Sequence, residues 1–189
     1  MLAALLFTGC GPAKLDPGAY RDWVTDPANG LRKTQDIGDV TFVLQYKPTD
    51  YLIASRLLKA GSLEKNPEEL KSTSTLSLFD IYITCGGGNV HPYLYGASPD
   101  MADARQNYYS FYMANDIALK TGDTEHKPVF CRAERGAMIN NTLTLECGFD
   151  TLPVADDWIF TLNDTRLGAG LVKFTITKKQ LENIPLLKY

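Results

Sequence analysis

Histidine is nearly missing from this chain, with two in 189 residues. That leaves too little material for a histidine-rich metal site. The cysteines number four, and none of their spacings is C-x-x-C, so zinc and thiol-redox chemistry have no motif to rest on. No Lys/Arg cluster occurs and the net charge is −3, which disfavours nucleic-acid binding. No apolar run approaches the roughly 20 residues that a membrane-spanning helix needs. Long internal repeats and low-complexity tracts are also lacking. What is present is ordinary globular composition, 44% hydrophobic and 22% charged, in a length that suits one domain better than two.

The first ten residues, MLAALLFTGC, carry no charge. A cleavable secretory signal has a basic front, an apolar middle of about 7–15 residues and a small residue before the cut. The middle and the small residue are here and the Lys/Arg front is not, so residues 1–9 read as a signal peptide whose front is cut short. Phe7-Thr8-Gly9-Cys10 resembles the lipobox of bacterial lipoproteins, with Phe7 standing where Leu is usual. That resemblance implies cleavage after Gly9 and lipid on Cys10. Gly11, Pro12, Pro17 and Gly18 give residues 10–22 the composition of a tether, which leaves 23–189 as a single β-rich domain.

An exported chain meets an oxidising compartment. With Cys10 acylated, Cys85, Cys131 and Cys147 remain, an odd number. Cys131 and Cys147 are candidates for a disulfide across a hairpin. A tight turn over residues 135–140, however, would set Cys131 opposite Leu143 instead, and both alternatives stand.

Alternation predicts strands at Val40–Lys47, Leu76–Thr84, Asn107–Met113, Pro128–Ala133, Thr142–Phe149, Trp158–Leu162 and Leu171–Thr177. Their inward faces are Val40/Phe42/Leu44/Tyr46, Phe79/Ile81/Ile83, Leu143/Leu145/Cys147/Phe149 and Val172/Phe174/Ile176. A short helix is expected over residues 50–59, capped by Thr49 or Asp50, and Asn66-Pro67 signals a second. About seven strands with one or two short helices make a mainly β fold, an antiparallel β-sandwich or a strongly bent sheet.

No catalytic residue, metal ligand or cofactor is expected from these patterns. Gly86-Gly87-Gly88 lacks the Gly-Lys-Ser/Thr of a phosphate loop and reads as a turn. His91 stands alone in its loop without a nucleophile motif. Glu134 and the Asp156-Asp157 pair have no sequence relation that would make them a carboxylate couple. The binding candidates are aromatic: of ten tyrosines, Tyr82, Tyr93, Tyr95, Tyr108, Tyr109 and Tyr112 fall in one stretch. Exposed tyrosines suit a sugar ring or a protein partner. Strand parity turns Tyr108 and Tyr112 outward, opposite Phe111 and Met113, and Tyr93 and Tyr95 join them as candidates.

The segments Phe42–Leu52, Cys131–Gly136, and the tail from Asp157 through Lys173 to Ile184-Pro185 resemble small lipoproteins of Bacteroidota. The resemblance implies lipidation and an envelope role and transfers no catalytic residue. The expected function is therefore a non-enzymatic, lipid-anchored envelope protein that binds a partner or serves an outer-membrane assembly. A carbohydrate-binding lipoprotein beside nutrient-uptake machinery is the alternative, and an envelope hydrolase ranks third. Gly11 is not the Asp that retains lipoproteins at the inner membrane, and no acidic run follows Cys10. The outer membrane, with the domain facing the periplasm, is the expected location.

Overall fold

The computed structural model describes residues 13–60, 75–134 and 140–188. Cys10 and the helix signal at Asn66-Pro67 lie outside them. Among the described residues there are eleven strands and four α-helices, arranged as two main antiparallel sheets and one small parallel ribbon. The first sheet has the order β2-β3-β4-β8-β7, formed by Arg32–Ile37, Val40–Lys47, Leu76–Cys85, Thr142–Asp150 and Phe130–Ala133. The second is β10-β9-β5-β6, formed by Gly170–Ile176, Trp158–Asp164, Ile117–Thr121 and Thr124–His126. The fold is mainly β and sandwich-like, as the alternating patterns predict.

Register explains the core. Leu44 pairs with Ile81, and Ile81 with Leu145, so the apolar residues of three strands fall on one face of the first sheet. Trp158, Phe160, Leu162, Val172, Phe174 and Ile176 of the second sheet are buried against them. The sheets meet through rings: Tyr46 to Trp158 at 5.1 Å, Phe79 to Phe160 at 5.4 Å and Phe149 to Phe160 at 6.0 Å between centroids. Each such side chain taken out of water contributes roughly 1.5–3 kcal/mol before entropy is counted.

Residues 14–22 are not tether. Lys14–Leu15 form β1, which pairs in parallel with β11, Leu186–Leu187. Pro17–Thr25 form helix α1. The residues read as breakers start that helix: Asp16 caps it by accepting from the Ala19 N–H at 3.0 Å, and Pro17 sits at its first position. Proline belongs there because that N–H has no helical partner to lose. Tyr20 and Val24, four apart, turn one face of α1 into the core. The buried Gln45 amide donates to the Val24 carbonyl at 3.1 Å and ties the helix to β3.

Helix α2, Thr49–Ala60, agrees with expectation. Helix α3, Pro99–Asn107, repeats the start of α1, with Ser98 as cap and Pro99 at the first position. It runs into a π-turn at Tyr108–Tyr112, where a strand was predicted. The Met113 N–H reaches the Tyr108 carbonyl, five residues back. Helix α4, Lys178–Glu182, follows β10. Gly86, Gly87 and Gly88 all take positive φ, between 57° and 83°, a run that side-chain-bearing residues resist.

Candidate binding site

Three of the six clustered tyrosines belong to the interior. Tyr93, Tyr108 and Tyr109 are buried, and their rings pack together, 6.1 Å between Tyr93 and Tyr109 and 5.1 Å between Tyr108 and Tyr109. Their hydroxyls are committed as well. Tyr108 donates to Asp116 at 2.6 Å, and Tyr109 donates to the buried Asp164 at 2.7 Å. Asp164 also accepts backbone N–H bonds from Arg166, Leu167 and Ala169, which shapes the β9–β10 turn. Burial, then the neighbouring carboxylates, push the Tyr108 and Tyr109 phenols well above their ordinary range. Burial also raises the Tyr93 phenol, against a hydrogen bond with Ser110 that lowers it.

The loop that carries Tyr93 is fastened from below. Arg105 of α3 is buried and donates to the carbonyls of Pro92, Tyr93, Tyr95 and Arg166. His91 is buried in the same loop and accepts from the Tyr93 N–H through Nδ1 at 3.2 Å. Tyr95 donates to Asp39 at 3.1 Å, and that bond raises its phenol. Tyr93 and Tyr108 therefore do not form a binding surface, because hydrogen-bonded, buried rings have no face to offer. Only Tyr112 of the four candidates is well exposed, at 60%.

The π-turn accounts for the division. Tyr108, Tyr109 and Met113 face inward while Phe111 and Tyr112 project, Phe111 at 75% exposure. Beside Phe111 lies an open cleft of about 740 Å³, lined by Ser110, Phe111, Arg132, Ala133, Glu134 and Glu146. Its far wall is the β7–β8 pair, and that wall is braced three ways. Cys131 and Cys147 are directly opposite and joined by a disulfide. Ala133 pairs with Leu145, and in that register Cys131 stands opposite Cys147 and not opposite Leu143. One residue on, Arg132 donates through Nε and Nη2 to a single Glu146 carboxylate oxygen at 2.9 and 2.6 Å. Phe130 lies over Gly148, where a Cβ would meet its ring at 2.3 Å, and the Arg132 guanidinium sits 5.6 Å from the same ring.

Chemically, the cleft offers one apolar ring, one hydroxyl, a guanidinium and two carboxylates, of which Glu146 is engaged by Arg132. Asp156 and Asp157 line a separate depression with Gly122 and Lys178, so Glu134 does not share a cleft with them. Asp157 accepts the Lys178 N–H at 2.8 Å, at the start of α4. Among the described residues no group of three His, Cys, Asp or Glu side chains is placed to hold a metal ion, and no helix is long and apolar enough to cross a membrane. Phe111 and the Arg132–Glu146 pair carry no sequence motif. Only the strand content of 128–133 and 142–149 pointed toward the wall they stand on.

No protein-family model matches the chain, and no curated protein matches it. Among solved structures it is similar to a DUF4426 family protein from Pseudomonas aeruginosa PAO1. That likeness has 11% identity and a TM-score of 0.39, over 76% of this chain and 92% of that one. It is too distant to carry an argument about function.

Proposed function

We propose that the protein is a non-enzymatic, lipid-anchored envelope protein that binds a partner protein through the cleft beside the π-turn. In this reading it is an accessory subunit of an outer-membrane assembly and faces the periplasm. One observation carries the proposal: Phe111 and Tyr112, adjacent and 75% and 60% exposed, project beside a wall held by a disulfide and an ion pair. Large aromatic side chains on a rigid support are the residues that dominate protein interfaces, and little ordering entropy is lost when they dock. The lipobox-like FTGC and an intramolecular disulfide both suit an exported protein.

The test is recovery of partners from the native envelope with the full chain, compared with a Phe111→Ala/Tyr112→Ala variant. The expected outcome is a specific partner retained by the parent and bound at least about tenfold more weakly by the variant. The thermal midpoint should not change, because the truncated rings are exposed. Equal retention by both proteins would remove the cleft from the proposal. The carbohydrate reading has one feature in its favour, the concavity that places Arg132, Glu134 and Ser110 next to an aromatic face. Binding of an envelope polysaccharide that is lost in the same variant would put it first.

A further inference from the structure

We infer that the β1–β11 ribbon is the surface with which the domain rests on a phospholipid headgroup layer. The inference depends on the lipidation of Cys10 proposed above. The chain is fastened from Ala13 onward: the Ala13 carbonyl accepts from Leu186 at 2.9 Å and the Leu15 carbonyl from Lys188 at 2.7 Å. Asp50 of α2 accepts the Leu187 N–H at 3.4 Å and holds the ribbon to the body. Between the acylated cysteine and Ala13 lie only Gly11 and Pro12, and the three steps from residue 10 to residue 13 span at most about 10 Å. One headgroup layer is itself about 5–8 Å deep. A tether that short cannot lift the domain clear of the lipid, so the end bearing residue 13 is pressed onto it.

The ribbon has the side chains for that position. Leu15 pairs with Leu187, which is buried, and Lys14 pairs with Leu186. Alternation then puts Lys14, Leu186 and Lys188 together on the outward face. All three are exposed, Leu186 at 45%. An exposed leucine between two lysines suits a lipid interface: the leucine enters the acyl boundary while the lysine stems lie flat and their ammonium groups reach the phosphates.

Depth-dependent quenching tests the inference. The acylated full chain, carrying a fluorophore at Lys188→Cys or at Leu171→Cys, is reconstituted into phosphatidylethanolamine/phosphatidylglycerol vesicles with a spin label on the headgroups. Leu171 is 65% exposed and lies at the end of β10 opposite the one that leads into α4. The label at 188 should lose most of its emission and the label at 171 little. A long Gly-Ser insert between Pro12 and Ala13 should bring 188 down to the level of 171. Equal quenching at the two sites in an acylated, vesicle-bound protein overturns the orientation and leaves the lipidation intact. If mass spectrometry finds no acyl group, and the chain behaves as Cys10→Ala does and stays in the supernatant, the lipidation reading fails and the orientation falls with it.

Discussion

The tyrosine side chains divide by what their hydroxyls meet. The Tyr109 hydroxyl donates a hydrogen bond to the buried Asp164, Tyr108 to Asp116 and Tyr82 to Asp80. Each phenol is raised first by burial and then by the adjacent carboxylate. Burial pushes Tyr46 up to about 12. The sign follows directly: the folded state favours the neutral phenol, while in the unfolded chain tyrosine ionises near pH 10. This stabilisation is complete below about pH 10 and is lost as pH rises through the raised native values. Tyr109→Phe should make the alkaline decline shallower. At neutral pH it should cost about 1.5–3 kcal/mol, the worth of a hydrogen bond to a charged acceptor. Urea unfolding from neutral to strongly alkaline pH measures both, and an unchanged alkaline slope would contradict the assignment. Strand parity turns both Tyr108 and Tyr112 outward, whereas only Tyr112 is exposed. Residues 108 and 112 share a face in a strand, whereas the π-turn buries one and projects the other.

At the scale of elements, register was the quantity that alternation could not supply. Moving Cys131 from opposite Leu143 to opposite Cys147 is a slip of four residues. An even slip leaves every side chain on its original face. Both pairings therefore bury the same residues, and only the length of the connection decides between them. The helices were hidden differently: Asp16-Pro17 and Ser98-Pro99 have the makings of a cap and a first turn, yet proline reads as a breaker when no long apolar period follows. The β7–β8 register carries a prediction. The bond closes a sequence separation of 16, and a loop of that size restricts the unfolded chain by about 3 kcal/mol. Cys131→Ala/Cys147→Ala should lose about that much in urea unfolding, and reductant should bring the parent down to the variant. A parent indifferent to reductant would contradict the bridge.

Across the whole molecule the two sheets share one core, and Phe79 stands at its centre. Its ring meets Tyr46 at 5.1 Å, Phe160 at 5.4 Å, Phe149 at 5.7 Å and Trp158 at 6.2 Å. Phe79→Ala should cost about 3–5 kcal/mol, the loss expected when a large ring leaves a packed site. Because Trp158 lies in the same contact set, tryptophan emission and far-ultraviolet circular dichroism should report one coincident transition in parent and variant. Separate transitions would mean that the sheets unfold independently. The sandwich class was legible because β3, β4, β8, β9 and β10 alternate cleanly. Strands β2 and β6 were not, since Arg32–Ile37 and Thr124–His126 lie at sheet edges and bury little. The cleft was the least legible part, because a helical irregularity and a long-range register meet to form it and neither leaves a local pattern.

The pairing of β1 with β11 also sets an order of events. A chain made from its amino end presents residues 14 and 15 early, and their partners at 186 and 187 come only after nearly all the intervening sequence has been synthesised. Contacts between such distant positions are the slowest to form. Until then β1 has no strand partner, and the buried place of Leu187 in the core is vacant. A chain truncated before residue 186 keeps that opening for good, presenting an unpaired strand to proteases or to a second unfinished chain. Strand β11 is thus the piece without which the two sheets, whose strands all precede it, leave the place of Leu187 in the core open.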